Sequence, residues 1–241
     1  MSNFLKYIPE HKEQLKIGLL YLLLIAGGFW HILDVLQTVM TVSAGYFLII
    51  LNIWIFWEIW VSSTRETKKD QSGNVNPPAR RTYLAAWSAA VVVLTFLIEA
   101  IGVKTGLIFG EYVYGSVLKP AISQVPLAIG FAWMGMLFSS TSVTQRFILN
   151  HYSLKPVGAA AVVALCMVLF DFMMEPAAVK LNYWDWEGAT IPVQNYLAWF
   201  LISLVLAWSG FRLKVLSARM PRFAFHAYFG QIFYFLLVWI S

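Results

Sequence analysis

Charge is scarce in this chain. Only 12% of its 241 residues are Asp, Glu, Lys or Arg, about half the share of a soluble domain. Cysteine is nearly absent. Cys166 stands alone in an apolar block, so an internal disulfide is excluded and simple packing is expected. The opening MSNFLKYIPEHKEQLK is polar and lacks a small-residue cleavage site, so no removable signal peptide is expected. What fills the chain is apolar: 60% of residues are hydrophobic and the mean hydropathy is +0.69. These residues fall in blocks about twenty long, the signature of a polytopic membrane protein. The net charge of +5 does not point to nucleic acid, because in such a chain the placement of charge matters more than its sum.

Seven blocks are long enough to span, at 17–36, 40–61, 83–101, 122–140, 157–175, 193–211 and 223–240. Without water to satisfy the backbone they must be helices. The expected fold is therefore all-α, a single membrane-embedded unit over 1–241 with a loop at 62–82. Within that loop TRETKKDQSGNVNPPARR (64–81) reads as a mobile linker. Basic residues are also nearly missing from one side. Fourteen Lys and Arg fall on the side of the N-terminus, in the tail and in the loops after spans 2, 4 and 6; only Lys104, Lys119 and Lys180 fall opposite. The positive-inside rule then predicts a cytoplasmic N-terminus, an external C-terminus and residence in the cytoplasmic membrane.

Two stretches on the outer side concentrate the unusual residues. IEAIGVKTGLIFGEYVYG (98–115) holds Glu99, Glu111, Tyr112, Tyr114 and four glycines. DFMMEPAAVKLNYWDWEG (171–188) holds Asp171, Glu175, Trp184 and Trp186, and Asn195 follows. Asp171 and Glu175 are four apart and share a helix face. Pro176 then ends or kinks the span. A carboxylate at mid-membrane costs about 2.5–3.5 kcal/mol on insertion scales, so intramembrane acids default to function. A carboxyl kept neutral beside an apolar substrate is a proton donor, and a charged neighbour accepts a proton or stabilises a cation. Trp184 and Trp186 read equally as an interfacial belt or as a cap on the site. Asp185 and Glu187 read as water-facing, and Glu58 and Asp34 as span-boundary residues.

Other classes fit poorly. A retinal Schiff base needs a lysine in the last span, and 223–240 has none. A histidine-bound zinc needs several ligands at one point, but His11, His151 and His226 fall toward one side and His31 toward the other, so no metal site is expected. D-x-x-x-E at 171–175 has no second acidic motif to hold a magnesium diphosphate. A proton relay through Glu99, Asp171 and Glu175 stays open, although the chain lacks the internal repeat of many transporters.

EAIGVKTGLIFGEYVYG (99–115), VPLAIGFAW (125–133, ending at Trp133), DFMMEPAAVKLNYWDWEG and IPVQNYLAWF (191–200) carry a resemblance. The chain resembles the carotenoid biosynthesis membrane proteins typified by the CruF-type carotenoid 1′,2′-hydratases, the bisanhydrobacterioruberin hydratases among them, from about residue 95 onward. The resemblance implies cofactor-independent addition of water to the terminal double bond of an acyclic carotenoid, of the lycopene, γ-carotene or bacterioruberin-precursor type. Protonation would give a tertiary carbocation, which water captures. In an end-group cyclase an internal double bond captures the same cation. On this reading Asp171 or Glu175 donates the proton and Glu99 or Glu111 orients water. Tyr112, Tyr114, Trp133, Trp184, Trp186 and Asn195 line the substrate site. The implied partners are the carotenoid and the bilayer, with room for other carotenoid biosynthesis enzymes and none for nucleic acid.

Overall fold

The computed structural model describes the backbone of residues 2–69 and 77–241 and the side chains of 11–63 and 80–241. It is all-α but for two short ribbons. Among the described residues, seven helices are long and apolar enough to cross a membrane, so the chain is a multi-pass membrane protein. They are α1 (Ser2–Ile32), α2 (Gln37–Lys69), α3 (Pro77–Thr105), α4 (Leu127–Thr144), α5 (Pro156–Lys180), α6 (Val193–Arg212) and α7 (Arg222–Ile240). The 62–82 loop differs from expectation: α2 and α3 run into it from both ends, and 70–76 of the expected mobile stretch lie outside the described residues. Polar residues continue a helix wherever its hydrogen-bond ladder is already nucleated and water replaces lipid.

α4 is the central helix. Of its most apolar window 83% is buried, against 22% in α1 and in α2. Its small residues explain the position. A Cβ at Gly130 would lie 2.5 Å from the Val92 carbonyl oxygen of α3, and one at Gly135 would collide with the Asn52 side chain of α2. Close approach at small residues is the usual basis of helix packing in lipid, where no hydrophobic force drives helices together. Around α4, α5 packs along α6, and α1 packs along α7. The last pair runs parallel, since Tyr21 meets His226 and, further along both helices, His31 meets Tyr234. At the opposite end from the acidic loops, Gln145 clamps the α6–α7 connection by donating to the carbonyls of Leu216 and Ala218 and accepting from the Met220 amide.

Two boundaries depart from the hydropathy pattern. Span 4 starts at Leu127 rather than 122, because β2 (Ala121–Ile122) and β3 (Val125–Pro126) fold into a hairpin. Its two turn residues, Ser123 and Gln124, both have positive φ, 50° and 71°. That is the primed-turn geometry without its usual Asn-Gly signal. Pro176 does not end α5, which continues to Lys180. Proline removes only the bond to the Phe172 carbonyl, and the helix resumes beyond it.

Candidate active site

A second ribbon closes the acidic end of the bundle. β1 (Tyr112–Tyr114) pairs antiparallel with β4 (Trp184–Trp186), in the register Tyr112↔Trp186, Val113↔Asp185 and Tyr114↔Trp184. The amide of Glu187 extends the pairing to the Glu111 carbonyl at 3.0 Å, and that of Gly115 extends it to the Tyr183 carbonyl at 2.9 Å. Strand alternation turns Tyr112, Tyr114, Trp184 and Trp186 inward, and Val113 and Asp185 outward. The inward rings pack in cross-strand pairs, with centroids 5.0 Å apart for Tyr112–Trp186 and 6.0 Å for Tyr114–Trp184. Gly110, at φ 104°, turns the chain into this ribbon; a Cβ there would lie 2.5 Å from the Pro192 ring.

The inward aromatics deliver donors to carboxyls on the helices below. Glu99, near the end of α3, receives three. The Tyr112 hydroxyl donates to Oε2 at 2.5 Å, the Tyr114 hydroxyl to the same oxygen at 2.9 Å, and the Trp133 indole to Oε1 at 3.0 Å. Burial and the Glu99 charge both push the two phenols up from their ordinary pKa, so they remain donors. Glu175, on α5, receives the Trp184 and Trp186 indoles on Oε2 at 3.0 and 2.9 Å. Its Oε1 has no hydrogen-bond partner among the described residues. Five hydrogen bonds hold these two carboxyls in place, and each strengthens when the carboxyl it faces is ionised.

Glu99 and Glu175 line one cavity of ≈70 Å³. Its wall holds Tyr112, Tyr114, Trp133, Trp184, Trp186 and Asn195, all named from the sequence. Trp199, which that reading missed, stacks on Trp133 with centroids 4.0 Å apart and planes 21° apart. Tyr183, Gln231 and Phe109 also line the cavity. Trp199, Tyr183 and Phe109 stood inside the quoted motifs IPVQNYLAWF, DFMMEPAAVKLNYWDWEG and EAIGVKTGLIFGEYVYG, whereas Gln231 carried no signal.

Two of the four expected acids stand elsewhere. Asp171 is fully buried beside Glu175 on α5 but does not line the cavity. Its Oδ2 accepts a 2.8 Å bond from Asn195, which does line it, and its Oδ1 has no partner. Four residues in a helix advance about 400°, so Asp171 sits some 40° around from Glu175, enough to turn it toward α6. Glu111 is exposed and outside the cavity lining. Being first before the inward Tyr112, it lies on the outer face of the ribbon by alternation. There it raises the pKa of Glu187 by hydrogen bonding and charge. Asp34 sits exposed in the α1–α2 turn. Glu58 meets Lys16 at 2.5 Å and the Trp54 indole at 3.2 Å.

Residues 75–240 match the family described as "Carotenoid biosynthesis protein". The chain belongs to that family. Among curated proteins, a bisanhydrobacterioruberin hydratase from Haloarcula japonica is 27% identical over 167 residues, covering 66% of this chain and 55% of that protein. The chain thus spans about half the length of this relative. No solved structure matches it. The carotenoid biosynthesis match begins where α3 begins and ends with α7. It includes both cavity carboxyls and every aromatic that donates to them, and it leaves out α1 and α2.

Proposed function

We propose that this protein is a carotenoid end-group hydratase, adding water to the terminal trisubstituted double bond of an acyclic carotenoid. The observation that carries this reading is one apolar, aromatic-walled cavity at the end of a membrane bundle with two carboxyls in its wall, each oriented by indole or phenol donors. The family match and the hydratase relative supply the substrate class.

In the proposed reaction Glu175 carries the proton on Oε1, the oxygen the indoles leave free. Transfer to the less substituted alkene carbon forms a C–H bond and leaves a tertiary cation on its neighbour. The Trp133–Trp199 stack offers its π-faces to that cation. A water held by Glu99 attacks; its oxygen forms the C–O bond and its second proton passes to Glu99. The net change is addition of one water, and proton return from Glu99 to Glu175 resets the site. No electrons are exchanged, so the scheme draws on no redox cofactor. Asp171 positions Asn195 and contacts no reacting atom. The charge asymmetry supports a cytoplasmic N-terminus and a site in the outer half of the cytoplasmic membrane.

Expression in a lycopene-making bacterium tests the reading. A product heavier by one water, resolved by chromatography and mass spectrometry, is expected. A ring-bearing isomer of unchanged mass means that an internal double bond captures the cation and the protein is a cyclase. Unchanged pigment with every acyclic carotenoid tried overturns both. A cytoplasm-specific reporter that is active when fused after Ser241 overturns the proposed orientation.

A further inference from the structure

A second cavity, of ≈210 Å³, lies between the C-terminal part of α1, the N-terminal part of α2, and α7. It adjoins the acidic cavity, since Leu48, Tyr183, Gln231 and Phe235 line both. Its wall includes Gly27, which faces the Tyr234 ring, together with Ala44 and Phe235. Its mouth opens on the membrane-facing side, where the lining residues Trp30, Thr41, Ser43 and Phe47 are exposed. Several polar groups at the wall are satisfied locally: the Ser43 hydroxyl donates to the Met40 carbonyl, and His31 pairs with Tyr234. The remaining surface is apolar and flanked by aromatic rings.

We infer that this groove binds the polyene chain of the substrate, admitting it sideways from the bilayer between α1 and α2 and threading its end group past the Tyr183–Gln231–Phe235 collar to Glu175 and Glu99. The inference rests on the proposed function for the identity of the occupant. The acidic cavity holds an end group and no more, so a long rigid substrate must continue elsewhere. The ribbon β1–β4 covers the aqueous end, and the adjoining groove leads to lipid. A linear polyene suits a slot walled by flat rings and small residues.

The test uses the full chain in phospholipid nanodiscs with lycopene as probe, read by the circular dichroism that a protein pocket induces in the polyene absorption band. Wild type should induce a signal. Thr41→Trp and Ala44→Trp fill the groove and should weaken binding by about tenfold or more. Val42→Trp, on the same turn of α2 but outside the lining and exposed to lipid, should bind as wild type does. Glu175→Gln should retain the signal while losing hydration. If wild type induces no signal, or if Thr41→Trp and Ala44→Trp bind lycopene unimpaired, the groove holds a lipid acyl chain and the inference falls. If Val42→Trp loses binding equally, general damage explains the effect and the inference falls. Groove-dependent binding without any hydrated product refutes the hydratase reading and leaves the groove standing.

Discussion

Helices α1 and α2 differ from α3–α7 in almost every respect that bears on function. The five later helices match the family, bury their carboxyls and fold two loops into a ribbon whose rings point at those carboxyls. The first two lie outside the match, have only 22% of their apolar windows buried, and direct large apolar side chains outward. Their charged contact, Lys16–Glu58, is at the far end from the acidic loops and half open to solvent on the lysine. Under the proposed function, the contrast becomes a division of labour. Groups that must be aimed at a reacting bond sit on elements locked by five hydrogen bonds and a central helix. Groups that need only be apolar and narrow sit on two helices that face lipid.

The largest effect should come from the half that holds the two cavity carboxyls. Glu175→Gln is expected to lower hydration by about 10³-fold, the middle of the range for a positioned acid. Glu99→Gln should act on the same scale. Both are read as hydrated pigment per unit of membrane protein, and normal activity in Glu175→Gln would remove the chemistry from α3–α7. Replacing Trp184 and Trp186 together by Phe keeps the rings and removes two donors from Glu175. At about 1.5–3 kcal/mol per bond to a charged group the loss should be at least about tenfold, and an unchanged rate would reduce both indoles to packing. Gly135→Ala attacks the seam between the halves, where α4 meets Asn52 of α2. Overpacking there should destabilise by about 1–3 kcal/mol, seen as a lower melting temperature in detergent. An unchanged melting temperature would mean that the halves are not held at that contact. Asp171→Asn, which reaches the cavity only through Asn195, should cost less than Glu175→Gln, about tenfold. A loss equal to that of Glu175→Gln would place Asp171 at the reacting atoms. Glu111→Gln, exposed on the outer face of the ribbon, should stay within about twofold of wild type.

Much of this was legible in the sequence, for reasons that differ by residue. The spans were visible because lipid allows only long apolar helices. Glu99 and Glu175 stood out because a carboxyl beside apolar neighbours has few bland explanations. Trp184 and Trp186 were ambiguous because three residues of alternation are too few to reveal a strand. Their partner segment lies about seventy residues earlier, and only the pairing turns the rings inward. Asp171 looked equivalent to Glu175 by spacing, and the rotation that separates them depends on where α6 packs. The groove was invisible, since Gly27, Ala44 and Phe235 are ordinary residues for a membrane helix and acquire meaning only when three helices meet. The hairpin before α4 was hidden in an apolar run whose turn, Ser-Gln, lacks the expected chemistry.

Three of the eleven tryptophans direct their indole N–H groups at the two cavity carboxyls, one at Glu99 and two at Glu175. These protons make the protein its own spectroscopic probe. Selective nitrogen labelling of tryptophan gives one signal per indole, and the frequencies of these three follow the charge and distance of the oxygen each one faces. Recorded against pH and with bound polyene, they would reveal which carboxyl carries the proton before turnover, with no label attached to substrate or site.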